Sequence, residues 1–146
     1  MSTGIAFEVR RARDPGEFAA ALRLRHAVFC VEQGVPEHEE LDGRDGEGIH
    51  LVAVSGGELL GTCRVLVIGS SVQFSRLAVR RDARRNRIAT ALLRAADEET
   101  LAAEANRLVL HAQTYAQPLY EAAGYRTRGR VFIEAGIEHV AMEKQL

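Results

Sequence analysis

Five arginines lie within eight positions of the sequence, in a turn between a predicted strand and a predicted helix. The segment 73–93 reads QFSRLAVRRDARRNRIATALL, and its turn contains Arg80, Arg81, Arg84, Arg85 and Arg87. The first turn of a helix carries unpaired backbone N–H groups and a partial positive charge. Cations beside such a helix start suit a phosphate or a pyrophosphate. A solvated basic turn is the alternative that these residues leave open.

Two common nucleotide-binding loops are absent from this segment. A Walker loop needs GxxxxGK[ST] and a dinucleotide loop needs GxGxxG, and the sequence contains neither. We therefore do not expect a nucleoside triphosphate or a dinucleotide. DNA or RNA is not expected either, because the net charge is -1 and no aromatic residues interleave with the arginines.

Acidic residues are concentrated between positions 32 and 47. They are Glu32, Glu37, Glu39, Glu40, Asp42, Asp45 and Glu47. A cluster of this sign would favour a cationic acceptor such as an amine, and an acidic surface loop is the alternative. A calcium loop is not expected, because Arg44 stands where an oxygen ligand is required. No HxxxH or CxxC spacing occurs, so we expect no metal site.

The hydrophobic pattern predicts the elements that would position these residues. Asp14 and Pro15 form a helix cap followed by a proline at the first helical position. A loop or a short irregular helix is expected over 33–48. Strands are predicted over 5–11, 50–54, 58–68, 72–80, 108–111, 126–133 and 138–144, and helices from Pro15 and over 85–105 and 116–123. This order predicts a mixed α/β fold with about seven mostly antiparallel strands and about four helices, in one domain spanning 1–146.

The composition is that of an ordinary globular protein. Of the 146 residues, 47% are hydrophobic and 27% are charged, which excludes a disordered or fibrous chain. No run of 18 apolar residues occurs, so a membrane span is not expected. The beginning of the sequence has no apolar segment typical of a secretory signal, so we expect a cytoplasmic protein. Cys30 and Cys63 are expected to be buried free thiols, with a nucleophilic Cys30 as the minor alternative.

The arginine-rich segment resembles the acyl-CoA-binding motif of the GNAT superfamily of N-acetyltransferases, [QR]xxGx[GA]. Arg84 matches the first position of this motif and Ala89 matches the last. Arg87 stands where the family has glycine, which normally lets backbone amides approach the pyrophosphate closely. The side chain of Arg87 would either crowd the pyrophosphate or contact a phosphate itself.

A second segment, 111–129, reads HAQTYAQPLYEAAGYRTRG and is similar to a later motif of the same family. Tyr120 falls at the motif's tyrosine, Gly124 and Tyr125 at its Gly-aromatic pair, and Gln113 near a polar residue that contacts the cofactor arm. The elements VFCVEQGVPEHEELDGRD and GIEHVAM resemble those of the ElaA-like branch. The resemblance covers about 24–144.

The resemblance implies acetyl transfer from acetyl-CoA to a primary amine of a small molecule or peptide, with no metal. Tyr120 is the candidate general acid that protonates the leaving thiolate. The identity of the base is left open, and Glu32 is its candidate, because a carboxylate at the end of a helix opposes the helix dipole and gains nothing locally. The residues expected to bind acetyl-CoA are Leu77, Ala78, Val79, Arg84, Arg85, Asn86, Arg87, Ile88, Ala89, Thr90, Gln113 and Gln117. Those expected to bind the acceptor are Gln33, His50, Arg76, Glu134 and His139. We expect a monomer or a homodimer.

Two other functions remain open on the sequence. An acyl-homoserine-lactone synthase-like enzyme shares the RxxVFxxE element, but such enzymes are longer and lack the GIxHxxM ending. A degenerate domain could bind acyl-CoA, or only a protein partner, without catalysis. Arg87 in place of glycine is the feature that supports this second alternative.

Overall fold

The fold is a seven-stranded mixed sheet with helices on both faces, seen in a computed structural model that describes residues 4–146. The strands are β1 (Glu8–Arg11), β2 (Ile49–Ser55), β3 (Glu58–Ile68), β4 (Ser71–Val79), β5 (Arg107–Gln113), β6 (Arg126–Glu134) and β7 (Ile137–Gln145). The helices are α1 (Pro15–Arg25), α2 (Glu37–Glu40), α3 (Ile88–Ala102) and α4 (Gln117–Ala122). Short 3-10 turns cover Asp45–Glu47, Arg81–Ala83 and Thr114–Ala116, and a π-helical segment, His26–Glu32, extends α1. The predicted mixed α/β fold with seven strands and four helices is confirmed.

The strand order is β1-β2-β3-β4-β5-β7-β6, and all neighbours are antiparallel except β4 and β5. These two strands pair in parallel only where Ser71–Gln73 meets Arg107–Val109. Beyond that point no pair joins them, so the sheet opens between their carboxyl ends. A bulge in β4 lies at the opening, because two residues, Arg76 and Leu77, stand opposite the single Cys63 of β3. Arg76 has φ 59°, and such a backbone bend re-aims the side chains around it.

The core lies between the sheet and α3, whose face of Ile88, Leu92, Leu93 and Ala96 is buried. Gly61 of β3 lets the start of α3 approach closely, since a Cβ there would lie 2.7 Å from Cγ2 of Ile88. On the other face of the sheet, α1 packs against β3 and β4. The amino end of α3 is therefore fixed beside the carboxyl end of β4.

The bounds of two predicted elements change in the structure. The first strand begins at Glu8 rather than at residue 5, and α3 spans Ile88–Ala102 rather than 85–105. Ala102, the last residue of α3, is exposed. Thr100 is buried instead, and its hydroxyl donates to the Ala96 carbonyl at 2.8 Å, which satisfies the polar group. The Asp14 cap is confirmed, because its carboxylate accepts from the Glu17 N–H at 2.8 Å.

Both cysteines are free. Burial raises the pKa of Cys63, and Cys30, which is half-buried, has its pKa raised by desolvation and by the nearby charges of Glu40 and Glu37. A nucleophilic thiol needs a lowered pKa. The structure thus gives no support to Cys30 as a nucleophile.

Candidate active site

A cleft of about 1390 Å³ occupies the opening between β4 and β5 and continues to the amino end of α3. It brings together most of the residues that the sequence singled out. They are Glu32, Gln33, Arg76, Leu77, Val79, Arg84, Arg85, Arg87, Ile88, Ala89, Thr90, Gln113, Tyr120, Glu134 and His139. The cleft is not lined by Ala78, Asn86, Gln117 or His50.

The arginine-rich turn forms one end of the cleft. The α3 helix begins at Ile88 with no side chain capping its first N–H groups. Among residues 4–146, the guanidinium groups of Arg81, Arg85 and Arg87 have no hydrogen-bonding partner, and all three line the cleft. Free cations and free N–H groups at one helix start can bind a phosphate or pyrophosphate.

Asn86 fastens this turn rather than lining the cleft. Its side-chain amide donates to the carbonyls of Ala83 at 2.9 Å and Arg84 at 3.1 Å. Its side-chain oxygen accepts from the Ile5 N–H at 3.2 Å. Asn86 therefore holds the turn from behind, and the prediction that it binds the donor is not supported by its contacts.

Arg87 occupies a backbone conformation that favours glycine. Its φ is 63° and its ψ is 21°, in the left-handed region that costs a residue with a Cβ about 1 kcal/mol. Arg87 therefore adopts the left-handed backbone conformation that the family's glycine would adopt without strain. Arg87 adds a cation to this turn at the start of α3.

Replacing Arg87 with glycine should have opposite effects on folding and on donor binding. We expect R87G to raise the free energy of unfolding by about 0.5–1 kcal/mol, because the strain is relieved. Its Kd for acetyl-CoA should rise about threefold or more, because a phosphate-facing cation is lost. Denaturant unfolding and calorimetric titration measure the two effects. R94G, in the exposed interior of α3, is the control and should lower stability by about 1 kcal/mol; a loss of stability in R87G would contradict this account.

Glu32, expected as the base on the acceptor side, lies against the arginine-rich turn. Its carboxylate oxygens accept from Nη2 of Arg84 at 2.6 and 2.9 Å. Nε of Arg84 also donates to the Val79 carbonyl at 3.1 Å. Both carboxylate oxygens of Glu32 are thus engaged by a cation, and its role as the base stays a prediction.

Tyr120 lines the cleft from α4 and is 7% exposed. Its ring makes edge contacts with Phe74 and Tyr125, with ring centroids 6.4 and 6.0 Å away. Among residues 4–146, no group lies within hydrogen-bonding distance of its hydroxyl. Burial raises the pKa of Tyr120 above that of an ordinary phenol, so the hydroxyl stays protonated at neutral pH. Tyr120 thus places a protonated hydroxyl, without a hydrogen-bonding partner among residues 4–146, at the wall of the cleft.

The π-helical segment crosses the cleft toward β5 through Gln33. Its side-chain oxygen accepts from Nε2 of Gln113 at 2.8 Å, and its amide is 3.5 Å from the Tyr115 hydroxyl. Gln33 and Gln113, predicted for the acceptor and the donor respectively, therefore contact each other. This contact links the end of the π-helical segment to β5 across the opening.

Three acids of the acidic segment, Glu40, Asp42 and Asp45, are paired with buried arginines. Arg25, on the inner side of α1, is 1% exposed and binds the Glu40 carboxylate at 2.7 Å and the Asp45 carboxylate at 2.8 Å. Glu40 is itself buried. The sequence analysis missed Arg25 as a structural cation, although its helical spacing with Ala21 placed it on the inner face.

Arg64 and Arg76 complete this network beside the cleft. Arg64 is 2% exposed and binds the Asp42 carboxylate at 2.8 Å, which holds the pKa of Asp42 well below its usual range. Arg76, from the β4 bulge, binds Glu40 at 2.8 Å and Asp42 at 3.3 Å. The network thus fastens α2 and the following loop to the bulge. Glu40, Asp42 and Asp45 are thus held in ion pairs, whereas Glu37, Glu39 and Glu47 are exposed, so only part of the segment is a negative surface.

His50 lies outside the cleft. Its Nε2 is 2.9 Å from the Asp45 carbonyl, and its ring packs edge-on against Phe18 at 4.6 Å between centroids. It lines a separate, smaller cavity of about 360 Å³. The structure therefore does not bring His50 to the acceptor site. Gln117, at the start of α4, and Ala78, buried against α1, also lie away from the cleft surface.

His111 is a cleft residue that the sequence analysis did not assign. Its Nδ1 is 3.0 Å from Oε1 of Glu134, and Nε2 of His139 is 3.7 Å from Oε2 of the same carboxylate. His111 and Gln113 lie two positions apart on β5 and so share one face of the strand. This alternation is the signal that could have placed His111 beside Gln113.

Residues 4–146 hold neither a candidate metal cluster nor a helix that could span a membrane. They contain no group of three or more His, Cys, Asp or Glu side chains arranged to hold a metal ion. Within the same part of the chain, no helix is long and apolar enough to cross a membrane.

Comparison with known proteins assigns the family. Residues 19–146 match the acetyltransferase (GNAT) domain. The uncharacterized N-acetyltransferase YjcF of Bacillus subtilis is 30% identical over 134 residues, covering 91% of this chain and 96% of that protein. The crystal structure of Escherichia coli ElaA has a TM-score of 0.83 at 26% identity, covering 96% of this chain and 99% of that one. An acyl-CoA N-acyltransferase from Pseudomonas aeruginosa has a TM-score of 0.82 at 28% identity, with the same coverage. With its sheet, its cleft and these relatives, the chain belongs to the GNAT family, beside ElaA, and is an acyl-CoA-dependent N-acetyltransferase.

Proposed function

We propose that this enzyme transfers the acetyl group of acetyl-CoA to a primary amine of a small molecule or peptide by direct attack of the amine. The observation that carries the proposal is the cleft itself. It runs from the arginines at the start of α3 to the opening in the sheet, where it is lined by the protonated side chain of Tyr120. One end suits a pyrophosphate, and the other suits a leaving thiolate.

The donor would lie along the carboxyl half of β4. Residues Leu77–Val79 follow the bulge, and beyond Gln73 this strand has no partner on the β5 side. Its free backbone groups can hydrogen-bond the amide-bearing arm of the donor, as the family resemblance implies. A backbone N–H at the same edge can stabilise the oxyanion that develops on the thioester carbonyl. Arg81, Arg84, Arg85 and Arg87 would then face the phosphates.

The chemistry needs one proton delivered and one removed. As the C–S bond breaks, the sulfur becomes a thiolate, with an ordinary pKa of about 8.5 by analogy with cysteine. Tyr120 would give it a proton. Burial raises the pKa of Tyr120, so its hydroxyl stays protonated until the thiolate forms. The amine must be neutral to attack, and a base must remove its proton.

Arg84 connects the arginine-rich turn with Glu32 and with the end of β4. Its guanidinium is held by Glu32 and by the Val79 carbonyl, at the strand that would carry the donor. A pyrophosphate arriving at the turn would compete with Glu32 for Arg84. Glu32 would be released to the cleft only once the donor is bound, so its role on the acceptor side depends on this exchange.

Removing two turn arginines should weaken donor binding far more than it slows transfer. We expect the double variant R84A/R85A to raise the KM for acetyl-CoA about tenfold or more, with kcat changed less than about threefold, because the interaction is made equally in ground and transition states. The assay follows thiol release from acetyl-CoA with a panel of primary amines.

The matched control is the double variant R23A/R94A, which removes the same charge from exposed helix positions. It should keep the wild-type KM for acetyl-CoA. A fall in kcat with an unchanged KM in R84A/R85A would place the phosphate site elsewhere. Failure of the wild-type enzyme to transfer acetyl to any amine in the panel would overturn the proposed function.

A further inference from the structure

Three titratable side chains from three strands meet in the part of the cleft that β5, β6 and β7 form. His111 lies on β5, Glu134 on β6 and His139 on β7, and all three line the cleft. The strand register brings them together, because His139 pairs with Gln113 of β5 on one side and with Phe132 of β6 on the other. Glu134 is therefore the next same-face residue after Phe132.

His139 has one ring nitrogen fixed and the other available. Its Nδ1 is 2.7 Å from the Ile137 carbonyl, an acceptor, so Nδ1 carries the proton and donates it there. In the neutral ring Nε2 is then an acceptor. The ring is 7% exposed and stacks on Phe132 with an interplanar angle of 23°, which holds its orientation.

Glu134 is placed to accompany a charged His139. Its Oε2 lies 3.7 Å from Nε2 of His139, while its Oε1 is held 3.0 Å from Nδ1 of His111. The other titratable groups near this end are Tyr115 on the turn packed against β7, Glu138 beside His139, and Arg128 on β6, which is engaged by Glu143. Within residues 4–146, no arginine or lysine pairs with Glu134.

Three of the other four carboxylates of the cleft differ from Glu134 in this respect. Glu32 is bound by Arg84, and Glu40 and Asp42 are bound by buried or half-buried arginines. Glu39, like Glu134, is exposed and has no arginine or lysine partner among residues 4–146. The two differ in that Glu134 lies beside the rings of His111 and His139. The ring of His139 is buried, and its Nε2 can accept a proton. No arginine or lysine among residues 4–146 pairs with the Glu134 carboxylate beside it.

We propose that His139 takes the proton from the ammonium group of the acceptor, with Glu134 as its counter-ion and His111 as the residue that positions Glu134. This inference rests on the proposed function. An N–H bond of the ammonium breaks and the proton goes to Nε2 of His139. The neutral nitrogen attacks the thioester carbon, the C–S bond breaks, and the sulfur takes the proton of Tyr120. The second nitrogen proton then returns to the Tyr120 oxygen, and His139 releases its proton to solvent.

The proposal separates amines by their basicity. A lysine-like alkylamine is neutral in only about one molecule in 2,500 at pH 7. Its transfer needs a base, and general-base catalysis is worth about 10²–10⁴ in rate. A weakly basic nucleophile such as hydroxylamine is already neutral at that pH, so its transfer does not need His139 as a base.

The test compares ethylamine with hydroxylamine as acceptors for the full chain with acetyl-CoA. In H139Q we expect kcat/KM for ethylamine at pH 7 to fall by about 10²-fold, and for hydroxylamine by less than about threefold. The loss for ethylamine should shrink as pH rises toward the amine's own pKa. E134Q should show the same selectivity with a smaller loss. H38Q, at an exposed position outside the cleft, is the control.

Each outcome has a distinct meaning. Equal losses of kcat/KM for both amines in H139Q would overturn the proposal, since His139 would then only shape the site. A loss selective for ethylamine in E39Q, and not in H139Q, would overturn it as well. Acetyl-CoA titration of H139Q checks that the variant is folded, and E134Q supplies the same readout if it is not. A wild-type enzyme that binds acetyl-CoA but acetylates neither amine would contradict the proposed function and this inference with it.

Discussion

Replacement of Tyr120 by phenylalanine is expected to lower kcat by about 10²-fold while leaving the Kd for acetyl-CoA unchanged. The variant Y120F loses only the hydroxyl that would protonate the leaving thiolate, and it keeps the ring contacts with Phe74 and Tyr125. Because burial raises the pKa of Tyr120, the wild-type enzyme should show no loss of this acid between pH 6 and 9. Steady-state rates across that range, together with calorimetric titration, measure both quantities.

Tyr125 provides a matched control for this experiment. It is also buried in the same aromatic cluster, and burial raises its pKa as well, but it does not line the cleft. Y125F should keep the wild-type kcat, because its hydroxyl has no hydrogen-bonding partner among the described residues. Unchanged turnover in Y120F across pH 6 to 9 would show that Tyr120 is a core residue and not the general acid.

The largest expected loss of stability follows removal of the Glu40 charge. E40Q should lower the free energy of unfolding by about 3 kcal/mol, because it leaves the buried Arg25 and the half-buried Arg76 without their shared carboxylate. Breaking one partner of a buried ion pair typically costs about 3–5 kcal/mol. Denaturant unfolding, monitored by circular dichroism, measures the difference.

An exposed ion pair on the same segment calibrates that result. Glu47 and Arg44 lie 3.4 Å apart at the surface, and E47Q should change stability by less than about 0.5 kcal/mol. If E40Q behaved like E47Q, the network would not hold α2 to the sheet. The acidic segment would then be the solvated surface loop that the sequence left open.

Local signals in the sequence were sufficient for most of the fold. The Asp14 cap, the run of strand-forming residues in β3 and the glycine turns between strands are each encoded within a few residues, and each appears in the structure. The boundaries of α3 were less accurate, because a run of helix-forming residues from position 85 conceals the positive φ values of Arg85 and Arg87. Backbone strain of that kind is imposed by the tertiary fold and has no local signature.

The candidate site was only partly predictable, for a similar reason. Tyr120 and the turn arginines follow from motif and position, and the structure places them on one cleft. The pairing of Glu32 with Arg84 joins residues 52 positions apart, so charge counting along the chain could not reveal it. The same holds for Arg25 and the acids it neutralises. An excess of acids in sequence becomes a balanced network once the sheet brings arginines to it.

Calorimetric titration of the purified chain with acetyl-CoA, and with acetyl-dephospho-CoA for comparison, tests the central claim most directly. We expect a single site with a micromolar Kd that weakens when the 3′-phosphate is absent, because free arginines surround the start of α3. No binding of acetyl-CoA at millimolar concentration would contradict the account, since a cleft that cannot hold the donor cannot transfer its acetyl group.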